Sequence, residues 1–230
     1  MNNDVNWYNI DEKFWNSHYK KMVRVDQTMS VKRVYPLTDD YKKVVQLRYA
    51  GLVESGFLDM YKDRPESMIL ERDTDSVILG LYEKDKMLGT LTLNTRTRRF
   101  KKLAMEIEKK VKLKHPFFNI DSVLEFTKLV LSPEGRIRKG LLNLCGVAFI
   151  IGNYFNKVHY WQVSRDIPED IRFRERLGFD YSNGYIFNDP SLNGMPSRAG
   201  YFDSSKYAEN SKIPTFLVHM YDVLKKQKFK

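Results

Sequence analysis

The sequence predicts an α/β (α+β) layered domain, a mixed sheet covered by helices. Three observations lead there. Strand-like and helix-like segments alternate along most of the chain. Two strand-like runs, VILGLY and MLGTLTL, are joined by the turn Glu83-Lys84-Asp85-Lys86, a hairpin signature. The 230 residues are 42% hydrophobic and 30% charged, enough to build the core of one large domain or two small ones.

The elements follow in order. VKRVY (31–35) reads as a strand stopped by Pro36. Tyr41, Val44, Val45, Arg48 and Leu52 recur at helical spacing over 40–54, with Asp39 as the expected N-cap and Gly56 where a helix would end. The hairpin covers 77–82 and 87–93. Phe100, Leu103, Ala104, Ile107 and Val111 predict an amphipathic helix over 99–113 with a basic outer face. SVLEFTKLVL (122–131) is a strong strand. A helix over 139–154 carries Leu141, Leu144, Cys145, Ala148 and Ile151 on one stripe. Further strands are expected at 158–163 and 185–187, and helices near 169–177 and 215–226. Between the last strand and helix lies a Gly/Pro/Ser/Asn-rich loop.

Composition excludes several classes. The single cysteine, Cys145, rules out a disulfide framework and a thiolate zinc site. The four histidines have no metal-ligand spacing, so no metal is expected. The first twenty residues lack an apolar stretch of the secretory kind, and the longest apolar run, Leu141–Gly152, is shorter than the ~20 residues that span a bilayer. A soluble, cytoplasmic protein is expected. On the helix stripe, Cys145 reads as a small core residue rather than a nucleophile.

Lys and Arg number 39 against 29 Asp and Glu, a formal charge of +10. Eight basic residues fall between Arg98 and Lys114; others cluster at Arg136, Arg138 and Lys139 and at the C-terminus. Such fields suit a polyanion, an anionic lipid surface or an acidic protein, and equally a solvated helix face and a basic tail. No zinc-finger, RNP or helix-turn-helix signature is present, so no nucleic acid is expected as a partner. Peripheral membrane contact and the oligomeric state stay open.

Three segments together carry a resemblance: VVQLRYAGLVESGFL (44–58), DTDSVILGLYEKDKMLGTLTL (73–93) and VLEFTKLVLSPEGRIRKGLLNLCGVAF (123–149). This set resembles the GNAT superfamily of N-acyltransferases, and more narrowly its branch of N-acyl amino acid synthases and acyl-homoserine-lactone (autoinducer) synthases. It covers roughly residues 22–187, and Arg174-Glu175-Arg176-Leu177-Gly178-Phe179 resembles the stretch that closes such domains. The resemblance implies a central mixed, mostly antiparallel sheet flanked by helices. It divides the chain into an N-terminal helical extension (1–30), a GNAT-like domain (31–187) and a C-terminal extension (188–230) packing on that domain.

It further implies that an acyl thioester lies in a V-shaped split between two central strands, where an amine attacks the thioester carbonyl. In this branch the donor is commonly acyl carrier protein, an acidic partner with a phosphopantetheine arm; acyl-coenzyme A is the other donor. The acceptor is an amino acid or other small amine. Carried over residue by residue, the resemblance places catalytic roles on Glu125, Arg48 and Asp73. Substrate contacts fall on Asp75, Lys128 and Trp161, and donor contacts on Leu131, Arg136, Arg138, Lys139 and Gly140. Three departures stand out. Thr92 replaces an Arg of the lactone synthases, Lys128 replaces the Arg of the fourth strand and cannot make its bidentate fork, and Arg136–Leu141 keeps one glycine of the phosphate-cradling loop.

On chemical grounds Glu125, mid-strand among Val123, Leu124 and Phe126, is either a desolvated general base or one half of an ion pair. Glu125 and Lys128 lie three apart, on opposite faces of a regular strand, so they share a site only if a β-bulge intervenes. Arg48 on an apolar helix stripe needs a buried acidic partner, for which Asp73 and Asp75 are the candidates. His159, Tyr160 and Trp161 fit either an acyl pocket or the core. Phe57, Met60, Phe117 and Phe118 are candidates to enclose an acyl chain.

Overall fold

In the computed structural model, residues 28–55, 65–104, 120–138, 140–182, 185–189 and 194–209 are described, with Glu12, Trp15, Val218, His219, Asp222 and Lys226. Most of the predicted N-terminal extension, residues 105–113 of the basic helix, most of the 215–226 helix, Lys139, Gly56, Phe57, Met60, Phe117 and Phe118 lie outside them.

Seven strands form one sheet: β1 (Met29–Val34), β2 (Val77–Glu83), β3 (Lys86–Asn94), β4 (Val123–Leu131), β5 (His159–Arg165), β6 (Ile186–Asp189) and β7 (Met195–Asp203). Their spatial order is β1-β2-β3-β4-β5-β7-β6, and every pairing is antiparallel except β4 with β5. The α-helices with defined bounds among the described residues are α1 (Asp39–Glu54), α2 (Pro133–Ile137), α3 (Gly140–Tyr154) and α4 (Pro168–Glu175). None of the described helices is long and apolar enough to cross a membrane.

The two faces of the sheet are covered by different helices. Leu79, Leu81, Leu91, Leu124 and Phe126 join the apolar residues of α3 in the main core. Helix α3 is buried along almost its whole length, which explains why its sequence is apolar all round. On the opposite face Val44 and Val45 of α1 pack on Val34 and Ile78. Cys145 is buried in the main core, and burial pushes its thiol up to about 12, so it is a packing residue.

Two expectations are corrected, and one short element is added. The cap of α1 is Thr38, not Asp39: the Thr38 Oγ1 accepts the Tyr41 N–H at 3.3 Å. Between β4 and α3, SPEGR forms the short helix α2, started by the Ser132 side chain and Pro133. The Gly/Pro/Ser-rich stretch contains β7, which lies inside the sheet between β5 and β6, so the sheet runs past residue 187. Pro196 sits beyond the β5 ladder, where no N–H is needed. Gly200 leaves room for the Tyr181 ring, which a Cβ there would meet at 2.4 Å. Both residues read as loop formers and serve instead as strand residues in tight places.

Gly135 shows how closely α2 lies against β3. A Cβ at this position would be 2.4 Å from the Leu88 carbonyl oxygen, a backbone atom that cannot rotate away. In a free helix Gly→Ala stabilises by about 1 kcal/mol. Here the clash reverses the sign, and Gly135→Ala is expected to lower the unfolding free energy by about 1–3 kcal/mol in a urea titration.

Candidate active site

The parallel ladder of β4 and β5 is short. It joins only Val123, Leu124 and Glu125 to His159, Tyr160 and Trp161. Beyond Glu125 and Trp161 the strands part, although β4 continues to Leu131 and β5 to Arg165. The cause lies on the other edge of β4. There Thr92 pairs with Thr127 but Thr90 pairs with Val130, so Lys128 and Leu129 together oppose the single residue Leu91. This is a β-bulge, with Lys128 in the left-handed region at φ 49. A bulge adds twist and bends its strand, and β4 leaves β5 at that point.

Between the parted strands opens a cleft of about 1030 Å³. Phe126 lies at its closed end, within an aromatic cluster whose ring centroids stand 5.4 Å (Phe149), 5.6 Å (Tyr160) and 5.8 Å (Phe179) away. Residues 127–131 of β4 form one wall and Gln162, Val163, Ser164 and Arg165 of β5 the other. Arg48, Leu52 and Glu54 of α1 close one side, and Phe173, Arg174 and Leu177 on and after α4 close the other.

The backbone at the open edge has a definite direction. The Ser132 N–H donates to the Leu88 carbonyl on β3 at 2.9 Å. Successive residues of a strand offer their backbone groups to opposite edges, so those of Leu131 face the cleft. The Leu131 carbonyl accordingly accepts the Arg136 Nε–H at 3.1 Å, from the cleft side.

Arg48 and Asp73 meet. Arg48 Nη1 donates to Asp73 Oδ2 at 2.6 Å and Nη2 to Asp73 Oδ1 at 3.1 Å, with both residues buried. Arg48 also donates to Thr92 Oγ1 at 2.8 Å and the Met68 carbonyl at 3.0 Å, and the Tyr41 hydroxyl donates to Asp73 Oδ2 at 2.6 Å. Burial first, then the Asp73 carboxylate, pushes the Tyr41 phenol up to about 12. This buried network ties α1 to β3 and to the 71–75 turn and fixes the α1 wall of the cleft, although the Arg48 Nε has no hydrogen-bond partner among the described residues. Asp75 is not part of it: it accepts the Thr97 hydroxyl at 3.2 Å, away from the cleft.

Several expected site residues are placed elsewhere. Glu125 is fully buried and accepts the Ala104 N–H, and it does not line the cleft. Trp161, its register partner, packs with Leu103, Val123, Phe187 and Ala199 in a second apolar cluster rather than in the cleft. Lys128 does line the cleft, carried there by the bulge, so Glu125 and Lys128 do not share it. Arg136 lines the cleft but grips Glu54 with both Nη atoms, one at 2.7 Å. Arg138 pairs with Glu83. Gly140 starts α3, where a Cβ would lie 2.8 Å from the Gly135 carbonyl oxygen and 2.4 Å from the end of the Leu81 side chain, so packing accounts for the glycine. Three backbone N–H groups before α3 are occupied as well: Gly135 N bonds Ser132 Oγ, Arg136 N bonds Ser132 O and Arg138 N bonds Glu134 O.

The β5–α4 wall was missed by sequence reasoning. Arg174 Nε donates to Ser164 Oγ at 2.8 Å and Nη1 to Gln162 Oε1 at 3.2 Å, while Arg165 Nε donates to Asp170 Oδ2 at 2.7 Å. The available signal was Gln162 and Ser164 alternating on the face of Tyr160, polar residues where a core strand would carry apolar ones.

Removing one member of the buried pair strands the other charge. Arg48→Met or Asp73→Asn is therefore expected to cost about 3–5 kcal/mol in denaturant unfolding, while Arg48→Met with Asp73→Leu recovers a large part of that loss. If each single change costs under about 1 kcal/mol, the pair does not hold the α1 wall.

No protein-family model matches the sequence. No curated protein matches it. Solved structures do. FeeM, an N-acyl amino acid synthase from uncultured soil microbes, superposes with a TM-score of 0.52 at 10% identity over 79% of this chain and 95% of that one. An acetyltransferase assigned to the GNAT family from Chromobacterium violaceum gives 0.50 at 8% identity over 80% and 91%. A chimera of the spermidine N-acetyltransferase SpeG from Vibrio cholerae and hSSAT gives 0.50 at 14% identity over 80% and 99%. The seven-stranded, mostly antiparallel sheet, parted between β4 and β5 and flanked by helices, is the GNAT fold.

Proposed function

We propose that the protein is an N-acyltransferase. It moves a long-chain acyl group from a thioester, carried by acyl carrier protein in preference to coenzyme A, to the amine of an amino acid or related small molecule. The parting of β4 from β5 carries this reading. It leaves one edge of β4 without a strand partner, aimed into a cleft large enough for more than a two-carbon acyl group. The amides of a pantetheine arm can complete that edge as an added strand would.

The chemistry follows from the wall. The thioester oxygen takes the Leu131 N–H, a fixed donor in a site partly shielded from water. The amine nitrogen attacks the carbonyl carbon, and the carbon–sulfur bond breaks as the tetrahedral oxyanion collapses. The amine loses one proton and the departing thiolate gains one. Leu52, Leu129, Val130 and Leu142 supply apolar surface for the acyl chain.

Two features support a carrier protein over coenzyme A. A diphosphate needs free backbone N–H groups in the loop that cradles it, and in the segment matched to that loop Arg136 N and Arg138 N are already bonded to Ser132 O and Glu134 O. The +10 charge of the chain suits an acidic partner, whose arm has no diphosphate bridge. The FeeM likeness supports an amino acid acceptor.

The test incubates the purified chain with twenty amino acids and one donor at a time: palmitoyl carrier protein, palmitoyl-coenzyme A or acetyl-coenzyme A. Mass spectrometry then reads the amides. Long-chain N-acyl amino acids formed faster from the carrier protein are expected. Acetylation alone would replace this reading with a coenzyme A-dependent acetyltransferase, and no amide from any donor would remove the enzyme. Because Glu125 lies off the cleft, Glu125→Gln is expected to keep kcat within about threefold, whereas loss of a general base costs about 10²–10⁴-fold. A loss of that size with the fold intact would restore Glu125 as the base.

A further inference from the structure

The mouth of the cleft is bridged by a pair of side chains. Arg136 donates from Nε to the Leu131 carbonyl at 3.1 Å, from Nη1 to Glu54 Oε1 at 2.7 Å and from Nη2 to Glu54 Oε2. Glu54 ends α1 and Arg136 lies on α2, so the pair joins the two helices across the parted edge of β4. The Leu131 carbonyl is a backbone acceptor that a neighbouring strand would otherwise take. Here a side chain takes it.

The elements on either side are fixed, and the bridge is not. Helix α1 is held by the buried Arg48–Asp73 pair. Helix α2 is pressed on β3, where Gly135 leaves no room for a Cβ beside the Leu88 carbonyl. The two bridging side chains are each about half exposed, at 49% and 48%. The hydrogen bond from Arg136 holds the Glu54 carboxyl below its ordinary range, so the bridge is charged at neutral pH. An ion pair this exposed is weak enough for a ligand to open.

We propose that the Arg136–Glu54 bridge is a strap over the open edge of β4. Closed, it occupies the Leu131 carbonyl and bars the cleft mouth. Open, it frees that carbonyl for an amide N–H of the incoming pantetheine arm. The proposal rests on the acyltransferase reading, whose donor enters at this edge, and adds a step that precedes donor binding. Glu54 acts through Arg136 and is a positioning residue: it holds the guanidinium on the carbonyl. The closed fraction lowers the apparent affinity for the donor, so loosening the strap tightens binding.

The test is calorimetric titration of the purified chain with an unreactive acyl-pantetheine that has a methylene group between the sulfur and the acyl carbonyl. This probe is uncharged, so a change of charge at the mouth does not by itself attract or repel it. Glu54→Gln and Arg136→Ala are each expected to bind it about three- to fivefold more tightly than the unmodified chain. The double variant is expected to match Arg136→Ala, since both changes open one bridge. Added sodium chloride is expected to narrow the gap between the unmodified chain and Glu54→Gln, because it screens the pair. Thermal melts check that each variant folds.

The proposal is overturned if either single variant binds the probe no tighter than the unmodified chain, or if no chain binds it. A double variant whose gain is the product of the two single gains overturns it as well. Weaker binding by Arg136→Ala makes Arg136 a contact of the donor rather than a strap. The two readings fail separately. Variants that bind the probe more tightly in a chain that transfers no acyl group from any thioester keep the strap and lose the enzyme. A chain that forms amides while its variants gain no affinity keeps the enzyme and loses the strap.

Discussion

One extra residue in β4 shapes the functional end of the molecule. With Lys128 and Leu129 both set against Leu91, β4 bends away from β5 after three paired residues. An unpaired strand edge inside a domain is costly unless something satisfies its N–H and C=O groups. Here part of the edge is met by Arg136, on the Leu131 carbonyl. The rest of this stretch, residues 127–130, lines the cleft. The left-handed φ of Lys128 is a local strain that the surrounding ladder holds in place, and the cleft is what that strain produces.

The charges around the cleft divide by their partners. On the α1 side Arg48, Asp73, Tyr41 and Thr92 are hydrogen-bonded together and hold the wall in place. At the mouth Arg136 is neutralised by Glu54. On the β5–α4 side Arg174 donates to the Ser164 hydroxyl and the Gln162 side-chain carbonyl.

Much of the fold was legible because periodicity is a property of single elements. The hairpin of β2 and β3, the amphipathic α1 and the apolar α3 each announce themselves through alternation or helical spacing. Strand β7 did not, because Pro196 and Gly200 are strand residues only in context: one lies past the end of a ladder and the other under the Tyr181 ring. Site residues were harder. Arg48 needed an acid, and the sequence offered Asp73 and Asp75 without a means to choose. Glu125 looked like a base from its apolar frame, but its side chain points to the face of Trp161 and meets the Ala104 N–H. The Arg174–Gln162 pair joins a helix to a strand, and no spacing rule records that contact.

The most direct test of the account is a structure of the chain bound to an unreactive acyl-pantetheine, in which a methylene group separates the sulfur from the acyl carbonyl. The account predicts the pantetheine arm between β4 and β5, its amides paired with the open edge of β4. It places the carbonyl oxygen within hydrogen-bond distance of the Leu131 nitrogen. An arm bound outside the parted strands, or a carbonyl oxygen turned away from Leu131, would contradict it.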